Sequence, residues 1–335
     1  MRLAGRILKW LSLGVLGLLV AGALYQQIGL AVDARFAPPR GDMVRIDGRA
    51  AHLACSGQGP RTFVLDAGAG AGVWEWYRLG PRLAKAGRVC AFDRAGLGWS
   101  DPAGAGNDGT AAAAQLSALV RVGKIPTPFI YVGHSLGANF GEIYRARYPR
   151  DVAALVLIEP GVPKDLLEDF HAARRQAMES SDCGATCYAA GAATTLGVVR
   201  LASLGIGHKT FDDWHRSLYQ AYLSRPSNMM TMIASLNALP KTAYEDLDVR
   251  SFDATPVLVF ASSGTRQPEG HETRDDLRKW QMAQRAYLAS LAAKSSRGAG
   301  LFIVPDSTHA SMVLGEPQAN IVARRIIEFT THAGL

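Results

Sequence analysis

Gly133-His134-Ser135-Leu136-Gly137 sets a serine between two glycines, directly after the apolar run Pro128-Phe129-Ile130-Tyr131-Val132 and before a helix-like stretch from Ala138 to Arg147. A strand that reverses at once into a helix leaves no room for side chains at the reversal, and it forces the central residue into strained backbone geometry. That strain lifts the Ser135 hydroxyl clear of the strand, where it can attack a carbonyl carbon. A buried-type strand before the motif and a helix after it are the context the pattern requires. A hydroxyl alone is a weak nucleophile, so the rest of the chain must supply a base, an acid to orient that base, and donors for an oxyanion.

The chain has 335 residues, 48% hydrophobic and 19% charged, enough for one large α/β domain or for one domain with a small insertion. Met43 to Gly48 and Ala50 to Ser56 flank a turn at Asp47-Gly48, which reads as a hairpin. Arg61 to Asp66 is a short apolar strand that runs into Ala67-Gly68-Ala69-Gly70-Ala71-Gly72. The glycines of this loop fail the G-x-G-x-x-G spacing at the third position, so the loop is not a dinucleotide site. Small residues there instead let a backbone N–H come close to a substrate oxygen. Val73 to Ala86 has a helical pattern, Arg88 to Phe92 reads as a strand, and Thr110 is placed to cap an alanine-rich helix ending near Val122.

Beyond the elbow, Val152 to Ile158 is a continuous apolar run that ends in Glu159-Pro160. A carboxylate at the tip of such a strand needs a partner. From Gly161 to about Val249 the pattern changes to helical segments of small and amphipathic residues. Strand character returns at Thr255 to Ala261 and at Leu301 to Val304, with helices over Thr273 to Ala293 and Pro317 to Thr330. His309 lies in the loop just after the last of these strands.

At the N-terminus, Trp10 to Val32 carries no charge, and Arg2, Arg6 and Lys9 precede it. A stretch of that length crosses a bilayer as a helix, and the cationic flank places the remainder on the extracytoplasmic side. The expectation is an uncleaved signal anchor. Cleavage near Ala21-Gly22-Ala23, which would release a secreted protein, is the alternative. Part of the formal charge of +7 belongs to this flank. Without a basic cluster interleaved with aromatics elsewhere, nucleic acid is not an expected partner.

Leu65-Asp66-Ala67-Gly68-Ala69, Asp93-Arg94-Ala95-Gly96-Leu97-Gly98-Trp99-Ser100 and Gly133 to Gly137, in that order, resemble the α/β-hydrolase superfamily. The match is nearest to esterase-like serine hydrolases with an N-terminal membrane segment, and it covers roughly Val44 to Thr331. The resemblance implies an α/β-hydrolase fold, with a mostly parallel eight-stranded sheet flanked by helices and a helical lid insertion. The boundaries that follow are an anchor at 1–32, a linker at 33–42, a core at 43–160 and 250–335, and a lid at 161–249.

It also implies roles. His309 stands where the family carries its general base, and the N–H groups of Leu136 and Ala69 stand where it builds the oxyanion hole. The usual position of the acid falls on Thr265, which is not a carboxylate. Other members place the acid at the end of the strand after the elbow, which here is Glu159, with Glu269 and Glu272 as alternatives. Asp306 is too near His309 in sequence to reach its Nδ1. Asp93 and Arg94 read as scaffold residues, and His134 as packing beside the elbow without a chemical role.

The implied reaction is hydrolysis of a small-molecule carboxylic ester through an acyl-enzyme on Ser135, with no cofactor and no metal. Amide or peptide hydrolysis, as in proline iminopeptidase-like relatives, is one alternative, and a catalytically silent binding module is another. Cys55, Cys90, Cys183 and Cys187 make an even count that export would place in a disulfide-permissive compartment. Cys183 and Cys187 can close a small loop in the lid, while Cys55 and Cys90 read either as a second bridge or as two buried thiols.

Overall fold

A computed structural model describes residues 2–102, 106–161, 184–204, 212–264 and 273–335. Helix α1 (Arg2–Phe36) leads into the hairpin β1 (Asp42–Ile46) and β2 (Arg49–Ser56), then β3 (Thr62–Asp66), α2 (Leu79–Leu83), β4 (Arg88–Phe92) and α3 (Gly109–Val122). β5 (Phe129–His134), α4 (Leu136–Arg147) and β6 (Val152–Ile158) follow. A helical stretch comes next, described as α5 (Gly184–Thr195), α6 (Val198–Ser203), α7 (Asp213–Leu223), α8 (Pro226–Asn237) and α9 (Leu239–Leu247). β7 (Val257–Ser262), α10 (Arg274–Ala293), β8 (Gly298–Val304), α11 (Ser311–Leu314) and α12 (Glu316–His332) complete the chain.

The eight strands form one sheet in the order β1-β2-β4-β3-β5-β6-β7-β8. β1 and β2 join antiparallel, and every pairing from β4 through β8 is parallel. The central strands are apolar along their whole length because both faces are covered, as parallel sheets require. Alternate residues serve opposite layers. Phe129 and Tyr131 pack with Leu116, Tyr144 and Leu288 of α3, α4 and α10, whereas Ile130 and Val132 pack with Trp76, Leu83, Ile326 and Phe329 on the other face.

Several boundaries differ from the sequence expectation for definable reasons. Val73 to Ala86 is not one helix but a 3₁₀ turn at Val73–Trp76 followed by α2. A continuous helix would hold Pro81 in its interior, where it lacks an N–H and clashes with the preceding turn; in α2 it lies in the first turn, where proline is tolerated. The cap of α3 is Asp108 and not Thr110, since the Asp108 carboxylate accepts from Ala111 N at 2.9 Å. Thr110 sits inside the first turn and its hydroxyl donates to Glu245 at 2.6 Å. α1 continues past the expected boundary at Val32, to Phe36, with Asp33 paired to Arg200 at 2.6 Å.

Cys55 and Cys90 are register partners on β2 and β4 and are joined as a disulfide. Cys183 and the side chain of Cys187 lie outside the described residues, as do Glu269 and Glu272.

The helical stretch is fastened at both roots to α4. The Asn139 amide accepts from Gly161 N at 2.7 Å and donates to Gly161 O at 3.0 Å, next to the end of β6. The same amide nitrogen donates to Asp246 of α9 at 2.7 Å.

Candidate active site

The β5–α4 turn holds Ser135 at φ 53° and ψ −124°, a conformation that a side-chain-bearing residue adopts only under constraint. Ser135 N donates to Ile158 O at 2.9 Å, and Ser135 O accepts from Ala138 N at 2.9 Å. The flanking glycines are steric necessities. A Cβ on Gly133 would lie 2.5 Å from Gly137 O, and one on Gly137 would lie 2.5 Å from Ala67 O and closer still to Asp66 O. Because those neighbours are backbone, Gly137→Ala is expected to remove more than about 4 kcal/mol of stability or to prevent folding, read by urea unfolding.

At the tip of the next strand, Glu159 is a second non-glycine residue with positive φ, at 45°. Its carboxylate is 3% exposed. One oxygen accepts from Ser262 N at 2.9 Å and from the Ser262 hydroxyl at 2.7 Å; the other lies 2.7 Å from His309 Nδ1. Burial alone would push this carboxyl up, but the His309 contact and the two Ser262 donors outweigh it and hold the group below its ordinary value. A carboxylate on Nδ1 leaves Nε2 as the free basic nitrogen, and the His309 side chain is half exposed. Of the three candidate acids, Glu159 is the one that the described residues bring to His309.

His134, between Gly133 and Ser135, does more than pack. Its Nδ1 lies 3.0 Å from Glu75 Oε1 and its Nε2 3.2 Å from the His309 carbonyl oxygen, and its ring centroid is 4.6 Å from that of His309. Both partners are acceptors, so this arrangement is satisfied only when both ring nitrogens carry protons. Burial works against the charge, but the Glu75 carboxylate overcomes it and raises the His134 pKa, with Glu159 adding to the effect. For Glu75, burial pushes up, and His134, the Gly68 N–H and Arg94 together bring it down.

These shifts have a definite sign. The lowered Glu75 contributes stability that is present above its ordinary value of 4.5 and is lost as pH falls through its folded value. The raised His134 contributes stability that is present below 6.5 and is lost as pH rises through its folded value. The stability difference between wild type and Glu75→Gln/His134→Asn is therefore expected to be widest between 4.5 and 6.5 and to narrow on both sides, measured by urea unfolding across a pH series.

Glu75 also orders the glycine loop. Its second oxygen accepts from Gly68 N at 2.8 Å, so that N–H is committed and the next one along the loop is that of Ala69. A Cβ on Gly68 would lie 3.4 Å from Ser135 Cβ, which places the loop directly against the serine. Arg94 holds the loop from below, through Asp66, Ala67 O at 2.5 Å and Gly68 O at 2.6 Å. Leu136 is the first residue of α4, where the helix offers its N–H no partner. Asp93 accepts from Val73 N at 2.9 Å and Trp99 N at 3.1 Å and lies 2.7 Å from His52 Nδ1, so it fixes a loop as expected.

Glu75 and Ser262 were not visible in the sequence, because the signal that would mark them is closure in space. Among the described residues no group of histidines, cysteines and carboxylates is arranged to hold a metal ion.

The sequence pattern of the alpha/beta hydrolase fold family matches residues 62–266. The chain is 28% identical over 171 residues to Uncharacterized protein YbdG of Bacillus subtilis (strain 168), which covers 49% of this chain and 52% of the relative. It thus spans about half the length of that curated relative. A putative ancestral haloalkane dehalogenase, AncHLD2, superposes with a TM-score of 0.64 at 15% identity, over 88% of this chain and 99% of its own. A putative lipase (lip1) from Acinetobacter baumannii AYE superposes with a TM-score of 0.59 at 14% identity, over 92% of this chain and 96% of its own. With the family pattern matched across more than half of its length, the chain belongs to the alpha/beta hydrolase fold family.

Proposed function

We propose that the protein is a membrane-anchored serine hydrolase that cleaves carboxylic esters through an acyl-enzyme on Ser135. The observation that carries this reading is the Glu159–His309 contact of 2.7 Å, with the His309 ring 4.6 Å from that of His134, the residue before a serine held in a strained elbow. Glu159 keeps the Nδ1 proton on His309, so Nε2 takes the Ser135 proton as Oγ attacks the ester carbonyl. The oxyanion accepts from the Leu136 and Ala69 N–H groups, and His309 returns its proton to the departing alkoxide. Water, deprotonated by the same nitrogen, then releases the acid.

α1 supplies the anchor: from Leu3 to Phe36 it is apolar enough to cross a bilayer, with a mean hydropathy of 2.0 over its most apolar window. Arg2, Arg6 and Lys9, ahead of its uncharged run, favour an extracytoplasmic catalytic domain, a placement that suits the Cys55–Cys90 bridge. We read α5 to α9 as a lid over the site.

Dehalogenase and epoxide-hydrolase chemistry in this fold uses an aspartate at the elbow, and Ser135 takes that position here. A panel of p-nitrophenyl esters, aminoacyl amides, haloalkanes and epoxides tests the reading. Ester turnover that falls by about 10⁶-fold in Ser135→Ala is expected. Preferred amide turnover would move the assignment to a peptidase, and no turnover of any class by folded protein would favour a silent binding module.

A further inference from the structure

α1 is 35 residues long, whereas about 20 residues suffice to cross the hydrocarbon of a bilayer. Counted from Trp10, where the uncharged run begins, the crossing ends near Gly29, and its last turns together with those beyond it run along the lid. Gly22 and Gly29 are two helical turns apart on one face, and each meets the lid at close range. A Cβ on Gly22 would lie 2.7 Å from Leu196 O, and one on Gly29 would collide with the Arg200 side chain. Gln26, fully buried, donates to Ser224 O at 2.6 Å and accepts from Arg200 Nε at 3.1 Å. Arg200 then closes a two-pronged pair with Asp33 at 3.1 Å and 2.6 Å.

These contacts fix the height of the lid. The corner between α5 and α6 rests on Gly22, about 10 Å along the helix before Gly29, where the helix leaves the hydrocarbon and meets Arg200. Within residues 184–204, Arg200 is the single charged residue, and Asp33 neutralises it. Tyr188, Val198 and Leu201 on the same segment are 68%, 55% and 63% exposed. An apolar surface without free charge, set at the edge of the bilayer by the helix that spans it, fits lipid. It also lies one helix away from the reacting groups. Met230 of α8 packs on Gly191 of α5, while Met232 packs on Gly70 and Asn228 donates to Gly70 O at 3.2 Å, next to Ala69.

We propose that α5 and α6 sit in the lipid interface of the membrane crossed by α1, and that the site takes esters of long-chain amphiphiles from that leaflet. This rests on the anchor and esterase readings above and adds to them the substrate class and the partner surface. The spanning helix is then a part of the lid as well as a tether, because Gln26 and Asp33 hold the lid at its working depth.

The test uses the full chain in vesicles of phosphatidylcholine and phosphatidylglycerol whose acyl chains carry bromine. A fluorescent amino acid replaces Leu201 in one variant and Arg150 in another, the latter exposed just before β6, at the end of the sheet away from the lid. Quenching at position 201 with none at 150 is expected. Equal, unquenched emission at both positions in protein that floats with the vesicles would overturn the lid placement, and protein that does not float would overturn it together with the anchor.

Turnover gives a second arm. Leu201→Glu is expected to raise KM roughly tenfold for a vesicle-borne p-nitrophenyl palmitate and to leave soluble p-nitrophenyl acetate unchanged. Equal effects on both esters would overturn the substrate class. Wild-type turnover of the soluble ester reports the esterase reading separately, and the quenching does not depend on it.

Discussion

Glu159→Gln is expected to lower kcat by about 10⁴-fold while the protein still folds. The amide must choose which end faces His309. The Ser262 N–H, 2.9 Å from the carboxylate, demands an oxygen, which turns the amide NH₂ toward His309 Nδ1 at the other end of the group. A donor there forces Nδ1 to become an acceptor and moves the ring proton to Nε2, the nitrogen that must be free to take the Ser135 proton. The variant therefore keeps most of its contacts and loses the base. Steady-state kinetics on a soluble ester measures the loss, and thermal unfolding checks that the fold survives. Near-normal turnover would shift the acid to Glu269 or Glu272.

Arg94→Met is expected to cost about 3–5 kcal/mol of stability and to lower turnover as well. Arg94 is 8% exposed and serves three acceptors: the Asp66 carboxylate and the carbonyls of Ala67 and Gly68. Methionine fills much of the volume and leaves all three without their shared donor. Burial already pushes the Asp66 pKa up, against the pull of Arg94 and Tyr131, so loss of the cation raises it further. A carboxyl with a raised folded pKa favours the fold less as pH rises. The penalty for the variant should hence grow from acid toward neutral pH, read as the difference in urea midpoint from wild type. The released Ala67 and Gly68 peptides also carry Ala69, so the oxyanion donor is loosened and kcat should fall by about 10²-fold.

How much of this was legible in the sequence depends on whether the signal was local. Ser135 was readable because glycines at fixed offsets, a strand and a helix are neighbours in the chain, and the steric reason for both glycines is the contact that a Cβ would make with backbone. The parallel core was readable because strands covered on both faces are uniformly apolar. Glu159 was one of three candidate acids, and only the folded sheet sets it against His309, 150 residues away.

Glu75 left no trace, although it links the glycine loop to His134 across 59 residues. Its 3₁₀ turn lies inside a segment that reads as one helix until the position of Pro81 is considered. The cap of α3 was misplaced for a related reason. Thr110 and Asp108 are both capping types, and which one caps is decided by Glu245 and Lys241 of a distant helix, which engage Thr110 and Asp108 at 2.6 Å each. The stretch of α1 from Gly22 to Asp33, which packs on α5 to α7, is likewise apolar in sequence except at Gln26, Gln27 and Asp33. Gln26 and Asp33 acquire meaning only through their distant partners, Ser224 and Arg200.

The central claim is that Ser135 is a nucleophile activated by His309. Incubation of the full-length protein with a fluorophosphonate, followed by intact-mass spectrometry and peptide mapping, tests it most directly. One adduct per chain on Ser135 is predicted, absent in Ser135→Ala and strongly slowed in His309→Ala. Folded protein that stays unmodified, or an adduct that persists in Ser135→Ala, would contradict the account.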